Sequence, residues 1–255
     1  MSAEKKTEYK IGEEFQRLTR YFRETLKDWT PAWDEQVSLY KTYPKAEGLD
    51  LPEAGVSGGP QLWSVIAARR SYRDFAGLPI GLNYLSQLLW ACQGITLRTR
   101  NFEFRSSPSA GALYPVETYL VCNHVEGAQM GLYHYSVAGH KLELLKGGDL
   151  REPLMKAGLM QPVLFECAAA FLWTAAVGRA SWKYSQRAYR YIYLDAGHIA
   201  QNLCLAAEAL GMGCCLVGAF FDEEVNQLLE AEIEREPILY LAAVGPRQGE
   251  SAEKS

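Results

Sequence analysis

The sequence lacks the cysteine and histidine patterns of redox and metal proteins. It has six cysteines and four histidines. No two cysteines have CxxC spacing, and most lie in apolar runs, where cysteines are usually buried and reduced. Neighbouring residues of a strand point to opposite faces, so the adjacent Cys214 and Cys215 are not predicted to form a redox pair. The histidines form no cluster with cysteine or carboxylate at metal-ligand spacing, and we predict no metal site.

Nucleotide-binding and repeat patterns are also missing. No G-x-G-x-x-G follows a predicted strand, which argues against a Rossmann site. Internal repeats are absent, and strands do not alternate with helices as βαβ units. The predicted fold class is therefore α+β, with a central antiparallel or mixed sheet flanked by long helices.

There is no excess of positive charge and no long apolar run. The chain has 26 Lys and Arg against 30 Asp and Glu, for a net charge of -4. This charge predicts no general electrostatic attraction to nucleic acid or acidic lipid. No apolar core follows the start of the chain, so no signal peptide is predicted. Residues 163–177 are too few for a spanning helix and are interrupted by Glu166, so a buried strand is favoured. We expect a cytoplasmic protein without membrane or nucleic-acid partners.

Hydrophobic periodicity predicts the main elements. We predict an amphipathic helix over 11–28, an extended aromatic arm over 29–60, helices over 61–69, 82–93, 149–158 and 182–210, a strand over 118–122, a hairpin of 131–135 with 141–145, and strands over 167–177 and 237–244. The chain divides into an N-terminal helix and arm (1–60), a main domain (61–247) and a disordered tail (248–255). The arm has no core of its own, so we expect its rings to pack on the main domain or on a second subunit.

A dense arginine cluster follows the predicted helix 61–69. Arg69, Arg70 and Arg73 lie within five residues, with Ser71 among them. Arginine presents a planar fork of donors to phosphate oxygens, and a serine hydroxyl can complete such a site. The alternative is a solvated helix end, where cations are also favoured.

Residues 106–117 form a loop of small residues between two prolines, and the loop leads into a strand. Gly111 permits backbone angles barred to other residues, while Pro108 and Pro115 stiffen the segment. Small side chains leave backbone groups open to a flat ligand. Composition alone also fits an ordinary surface turn.

Taken in order, these motifs resemble the nitroreductase family of FMN enzymes and its SagB-type dehydrogenases, which include the azoline oxidases of thiazole- and oxazole-modified peptide pathways. The matching stretches are RRSYRDF (69–75), PSAGALYPVE (108–117), Lys183-Tyr184 with DAGHIAQNL (195–203), GMGCCLVGAF (211–220) and AVGP (243–246). The resemblance covers roughly residues 60–247. It implies an intertwined homodimer with FMN at the interface.

The resemblance also implies the FMN-binding residues. Arg69, Arg70, Ser71 and Arg73 would hold the phosphate, and Arg247 would add to that shell. The flavin ring and ribityl chain would contact Ser107, Pro108, Ser109, Ala110, Gly111 and Ala112. The opposite face of the flavin would be covered by Leu216, Val217, Gly218 and Ala219, with the backbone near Gly218 close to flavin N5.

The catalytic pair implied by the resemblance is Lys183 and Tyr184. Oxidation of an azoline to an azole sends a hydride to flavin N5 and a proton to a base. Lys183 would be that base, with Arg187 and Arg190 close enough in sequence to favour its uncharged form. Tyr184 would donate a hydrogen bond to the substrate or to Lys183. A solvated lysine at a helix start remains the structural alternative.

Two other functions stay open. An NAD(P)H-dependent nitro or quinone reductase would use the same FMN site, with NAD(P)H as a transient reductant and no role for Lys183. A non-catalytic flavin-binding subunit would dock a partner through the aromatic arm. For the favoured oxidase, the substrate is a modified peptide or a related small heterocycle, and we expect any peptide-modifying partner to be a separate chain.

Overall fold

A central antiparallel sheet organises the protein, whose computed structural model describes residues 10–100 and 102–249. The strands in chain order are β1 (Glu47–Asp50), β2 (Ile80–Gly81), β3 (Ile95–Arg98), β4 (Glu103–Arg105), β5 (Val116–Cys122), β6 (Val125–Glu126), β7 (Gly131–Ser136), β8 (Lys141–Gly147), β9 (Ala169–Ala175), β10 (Met212–Val217) and β11 (Ile238–Pro246). Across these described residues the main sheet has seven strands in the order β1-β8-β7-β5-β9-β11-β10. Every pairing within it is antiparallel, which confirms the predicted α+β class.

Helices cover both faces of this sheet. They are α1 (Ile11–Leu18), α2 (Arg23–Leu26), α3 (Leu62–Ala68), α4 (Leu82–Gln93), α5 (Arg151–Ala157), α6 (Val163–Glu166), α7 (Gly178–Tyr184), α8 (Ala188–Ala209) and α9 (Asp222–Leu229). On one face α4 and α8 contribute Leu85, Leu89 and Leu203 to the core. On the other, α5, α6 and α9 contribute Leu154, Leu164 and Val225. None of the helices in the described part of the chain has the length and apolar character to cross a bilayer.

Buried strands explain the apolar runs of the sequence. Every residue of β5, β7 and β9 is buried, because both faces of the central sheet are covered. Cys214 enters the core under α8, whereas Cys215 enters the core on the opposite face, as expected for neighbours on a strand. The thiol of Cys214 lies 3.7 Å from that of Cys204, and all six cysteines are free thiols.

The predicted helix over 11–28 is wrong in its length. The first helix ends at Leu18, and a short second helix spans Arg23–Leu26. Thr19 is the C-cap of this helix, and there Arg187 binds the Thr19 carbonyl and Arg190 binds the Thr19 hydroxyl oxygen. Tertiary contacts therefore outweigh the helical periodicity here.

The arm lies along the main domain. Tyr40 and Tyr43 are partly buried against the core, while Trp33 is 64% exposed. Strand β1 pairs with β8, so the arm also contributes a strand at the edge of the sheet. Most of the predicted tail, residues 250–255, lies outside the described residues.

Candidate functional site

The small-residue loop has a strained, glycine-dependent backbone. Residues Ala110–Ala112 form a single 3-10 turn in which Gly111 has φ 65° and ψ 17°. Ala112 and Tyr114 also have positive φ angles, of 54° and 46°. Positive φ is uncommon for residues with a Cβ, and such strain concentrates at functional sites. The loop therefore needs support from the surrounding structure.

Asp195 on α8 supplies part of that support. The Ser109 hydroxyl donates to Asp195 Oδ2 over 2.5 Å, and the Ala110 amide donates to Oδ1 over 3.4 Å. Ser109 Oγ in turn accepts the Tyr114 amide over 2.9 Å. Burial raises the pKa of Asp195, and the hydrogen bonds from Ser109 and Ala110 offset part of that shift. One carboxylate thus fixes the centre of the loop.

Asn202, two helical turns further along α8, holds the start of the loop. Its side-chain amide donates to Ser107 Oγ over 3.0 Å and to the Ala91 carbonyl over 3.0 Å. The Ser107 hydroxyl donates to the Cys92 carbonyl over 2.6 Å. Next to it, the Ser106 hydroxyl is buried and has no hydrogen-bond partner in the described residues. A buried hydroxyl without a partner is a candidate contact for a ligand.

Lys183 and Tyr184 contact this loop. A Cβ on Gly111 would lie 2.5 Å from the Tyr184 hydroxyl and 2.9 Å from Lys183 Nζ, so both groups sit directly against the glycine. Lys183 Nζ also lies 5.5 Å from the centre of the Tyr184 ring. The fold therefore brings the predicted catalytic pair to the predicted flavin loop, more than 70 residues away in sequence. Their roles stay predictions.

The predicted helix over 182–210 is wrong at its start. Lys183 and Tyr184 end α7, a separate helix, and α8 begins only at Ala188. Ser185 breaks the path between them with φ 47° and ψ −136°. Because α7 ends there, the pair projects from a helix C-terminus above the loop, where the sequence had suggested a helix start.

The Tyr184 hydroxyl is suited to donate a hydrogen bond. Burial raises its pKa, and the neighbouring Tyr191 and Asp195 raise it further. The Tyr191 ring packs edge-on against the Tyr184 ring with centroids 4.8 Å apart. Tyr184 is consequently protonated near neutral pH and held in place by an aromatic contact.

The arginine cluster lies beside β10. The Tyr72 amide donates to the Cys214 carbonyl over 2.9 Å, which fixes residues 69–75 along this edge of the sheet. The side chains of Arg70, Ser71 and Arg73 are exposed, and Arg69 is partly exposed. Arg70 Nη1 donates to the carbonyls of Ala67 and Arg69 over 2.9 and 2.8 Å, so that guanidinium folds back on the end of α3.

The remaining predicted flavin contacts lie at opposite ends of β10. Arg247 follows Pro246, which pairs with Met212 at the start of that strand. Phe75 pairs with Arg247 as an antiparallel bridge, so Arg247 joins the arginine segment, but its guanidinium forms an ion pair with Glu208 at 2.5 Å. Leu216 and Val217 end β10, and Gly218 and Ala219 follow it as exposed residues. Helix α8 thus contacts the loop through Asp195 and Asn202, and it holds the Arg247 side chain through Glu208.

Arg187 and Arg190 direct their hydrogen bonds to the N-terminal segment, and their effect on Lys183 stays a prediction. Arg187 Nη1 donates to the Thr19 carbonyl over 2.9 Å, and Arg190 donates to Thr19 Oγ1 and to the Gln16 carbonyl, each over 2.6 Å. Both guanidinium groups therefore attach the N-terminal segment to the start of α8. The periodicity of α1 gave no sign of this contact.

A buried ion pair ties α7 to the strand that follows the loop. Arg179 Nη2 lies 2.5 Å from Glu117 Oε1, although the two are not aligned as a linear hydrogen bond, and both side chains are almost fully buried. Arg179 Nη1 also donates to the Tyr114 carbonyl over 3.2 Å. Burial pushes the Glu117 pKa upward, but the His134 hydrogen bond and the Arg179 charge outweigh it and lower the pKa.

We expect Arg179→Met to destabilise the protein by about 3–5 kcal/mol at neutral pH, because it leaves the Glu117 charge buried without its cation. Urea unfolding measures this loss. Because the folded pKa of Glu117 is lowered, the wild-type contribution is present above the unfolded value and disappears as pH falls through the folded value. The double variant Glu117→Gln/Arg179→Met should lose less than the sum of the single variants; strict additivity would contradict the coupling.

Sequence reasoning assigned no role to Asp195 and Asn202, although both lay in a quoted motif. Their signal was present: these polar residues lie on the apolar face of α8, spaced with the buried Ile192 and Ile199. A polar side chain on a buried helical face needs a partner, and here the partner is a loop more than 80 residues earlier in the chain.

Known proteins share this architecture. The Nitroreductase family model matches residues 66–246. MJ1384 of Methanocaldococcus jannaschii, assigned by name to the nitroreductases, is 33% identical over 181 residues, which cover 71% of this chain and 89% of that protein. A crystal structure assigned to the nitroreductases, from Anabaena variabilis, has 29% identity and a TM-score of 0.76. It covers 92% of this chain, but this chain spans only 46% of it.

A third relative processes a peptide. The microcin B17-processing protein McbC of Escherichia coli is 32% identical over 146 residues, covering 50% of this chain and 49% of McbC. The structure of the E. coli microcin synthetase complex McbBCD with truncated pro-MccB17 bound contains a chain with the same fold, at 20% identity and a TM-score of 0.58, covering 96% of this chain and 97% of that one. The chain belongs to the nitroreductase family and is an oxidoreductase of that family.

Proposed function

We propose that the protein is an FMN-dependent dehydrogenase of the SagB type that oxidises an azoline, or a related small heterocycle, to its aromatic form. The observation that carries the proposal is the contact of Lys183 and Tyr184 with the Gly111 loop. The Tyr184 hydroxyl lies only 2.5 Å from the position that a Cβ on Gly111 would occupy. That contact supports Lys183 as the proposed proton acceptor and Tyr184 as the proposed hydrogen-bond donor at the proposed flavin loop. The similarity to McbC, a microcin B17-processing protein, supports a modified peptide as substrate.

The residues of this chain fit FMN. Arg69, Arg70 and Arg73 offer several guanidinium donors beside β10, which suits a dianionic phosphate. At the start of the loop, the buried Ser106 hydroxyl has no partner among the described residues and could bind a polar atom of the cofactor. When bound, FMN would supply hydride acceptance.

The chain's own groups would handle the proton. Oxidation of an azoline to an azole breaks C–H bonds on two adjacent ring carbons, and one hydrogen leaves as a hydride while the other leaves as a proton. The Lys183 amine, in its neutral form, would take that proton, while the Tyr184 hydroxyl would orient the ring by a hydrogen bond. Molecular oxygen is the proposed final electron acceptor.

The proposed enzyme works as a homodimer. Leu62, Trp63 and Ile66 are 56%, 77% and 46% exposed on α3, directly before the arginine cluster. An apolar helix face of this size favours a partner surface, and a second copy of the chain is the partner implied by the family. A separate peptide-modifying chain is a further proposed partner.

A spectroscopic experiment tests the proposal and its main alternative. We expect purified protein to show flavin absorbance at about 450 nm. Light scattering should give the mass of a dimer. A thiazoline-containing peptide should bleach this band without oxygen and lose two hydrogens by mass spectrometry. Bleaching by NADPH with turnover of a nitroarene, and no reaction with the thiazoline, would instead establish the nitro or quinone reductase, which the name of MJ1384 favours.

A further inference from the structure

A cavity of about 220 Å³ is lined by Tyr184, one of the two candidate catalytic residues. One wall consists of residues 18–21 with Leu26 and Trp29, and the other consists of residues 184–187. Tyr184 therefore faces both the Gly111 loop and this cavity. The first wall lies outside residues 66–246, the part that matches the family.

The N-terminal wall is attached to the catalytic region by specific contacts. Arg187 and Arg190 bind Thr19 as described above, and the Arg187 guanidinium lies 4.8 Å from the Tyr21 ring centre. Tyr21 also shares a hydrogen bond with Tyr191, and burial together with that bond raises the pKa of Tyr21 to about 12. Because Tyr191 packs on Tyr184, a continuous set of contacts joins the wall to the pair.

The cavity presents apolar surface and positive charge. Leu18, Leu26 and Trp29 are 62%, 41% and 40% exposed, so their apolar surface is left uncovered around one opening. Arg20 and Arg187 are the charged residues of the lining, which includes no carboxylate. The lining thus complements an apolar group with a carboxylate or carbonyl, and it disfavours a cation.

The strained Ser185 lies in the same opening. Its φ of 47° and ψ of −136° are unusual for a residue with a Cβ. Strain of this kind persists only where the surrounding structure imposes it, and it concentrates at ligand and active sites. It fixes the turn that carries Tyr184 into the cavity.

We propose that this cavity binds the substrate group adjoining the oxidised ring, namely an aromatic or branched aliphatic group next to a carboxylate or peptide carbonyl. The N-terminal segment then determines substrate choice. The statement that the ring next to this group is oxidised rests on the proposed function. The binding of an apolar group with a neighbouring carboxylate in this cavity does not rest on it.

Calorimetric titration of the full-length protein with 2-phenylthiazole-4-carboxylate tests the proposal. We expect Trp29→Ala to weaken binding at least about tenfold and Trp29→Phe to retain most of it. Ile11→Ala is the matched control, because Ile11 is 66% exposed on the same segment and lies outside the cavity lining. An analogue with an aminomethyl group in place of phenyl should bind the wild type more weakly.

Unchanged affinity in Trp29→Ala, or an equal loss in Ile11→Ala, overturns the proposal. Circular dichroism checks that each variant folds, and Leu26→Ser replaces Trp29→Ala if the latter does not. The titration requires no turnover. Trp29-dependent binding without thiazoline oxidation would therefore refute the proposed reaction and leave the cavity assignment standing.

Discussion

Gly111→Val is expected to abolish turnover and to lower the flavin content of the purified protein. The new side chain would enter the space held by the Tyr184 hydroxyl and Lys183 Nζ, 2.5 and 2.9 Å from the Cβ position. Both groups are the ends of flexible side chains, so they would move, and misplacement of about 1 Å can cost about 100-fold in rate. Valine at φ 65° adds backbone strain of about 1–2 kcal/mol. The ratio of flavin to protein absorbance and the steady-state rate measure both effects.

Gly58→Val is the control that introduces backbone strain without displacing Lys183 or Tyr184. Gly58 also has positive φ, of 85°, but nothing lies within 4 Å of its Cβ position. It should lose stability and keep both flavin and turnover. A Gly111→Val protein with full flavin content and normal rate would refute the placement of the flavin on this loop.

Lys183→Met is expected to reduce heterocycle oxidation by about 100- to 10,000-fold, the usual contribution of a general base, while the protein stays yellow. Methionine has a similar length and cannot accept a proton. Lys183 meets the loop through its terminal nitrogen, so the change removes the proposed base with little change in packing. Single-turnover oxidation of a thiazoline peptide, with flavin content measured in parallel, gives the result.

Lys156→Met provides the control for this prediction. Lys156 is exposed and pairs with Glu152 on the surface of α5, so its loss should leave oxidation unchanged. Retained oxidation in Lys183→Met would exclude the base. Loss of thiazoline oxidation with retained nitroarene reduction would show that Lys183 serves the proton step alone.

The sheet could be predicted from the sequence because its strands carry their own signal. The apolar runs of β9 and β11 and the two segments of the β7–β8 hairpin are local properties of the chain, and the structure confirms these strands. The boundary between α7 and α8 could not be predicted. No glycine or proline marks it, and the residue that separates the two helices, Ser185, has a positive φ that its residue type does not favour.

The candidate site was predictable only in its separate pieces. Lys183, Gly111 and the arginine cluster each belong to a motif, but their spatial relation depends on contacts between distant residues. Asp195 reaches Ser109 across 86 positions, and Arg187 reaches Thr19 across 168. Such pairs carry no periodic signal, since each side chain is ordinary in its own segment. The cavity beside Tyr184 therefore could not be predicted from the sequence.

The pairing of β1 with β8 has a consequence for how the protein stays dispersed. Residues Glu47–Asp50 cover the hydrogen-bonding groups of β8 on one margin of the sheet. Without β1, that row of amides and carbonyls would face water as a template for pairing with other chains. Strand β1 becomes the edge strand in its place, but its four residues offer a shorter template than the seven of β8. We expect a chain trimmed to residues 66–246, which would expose β8, to aggregate more readily.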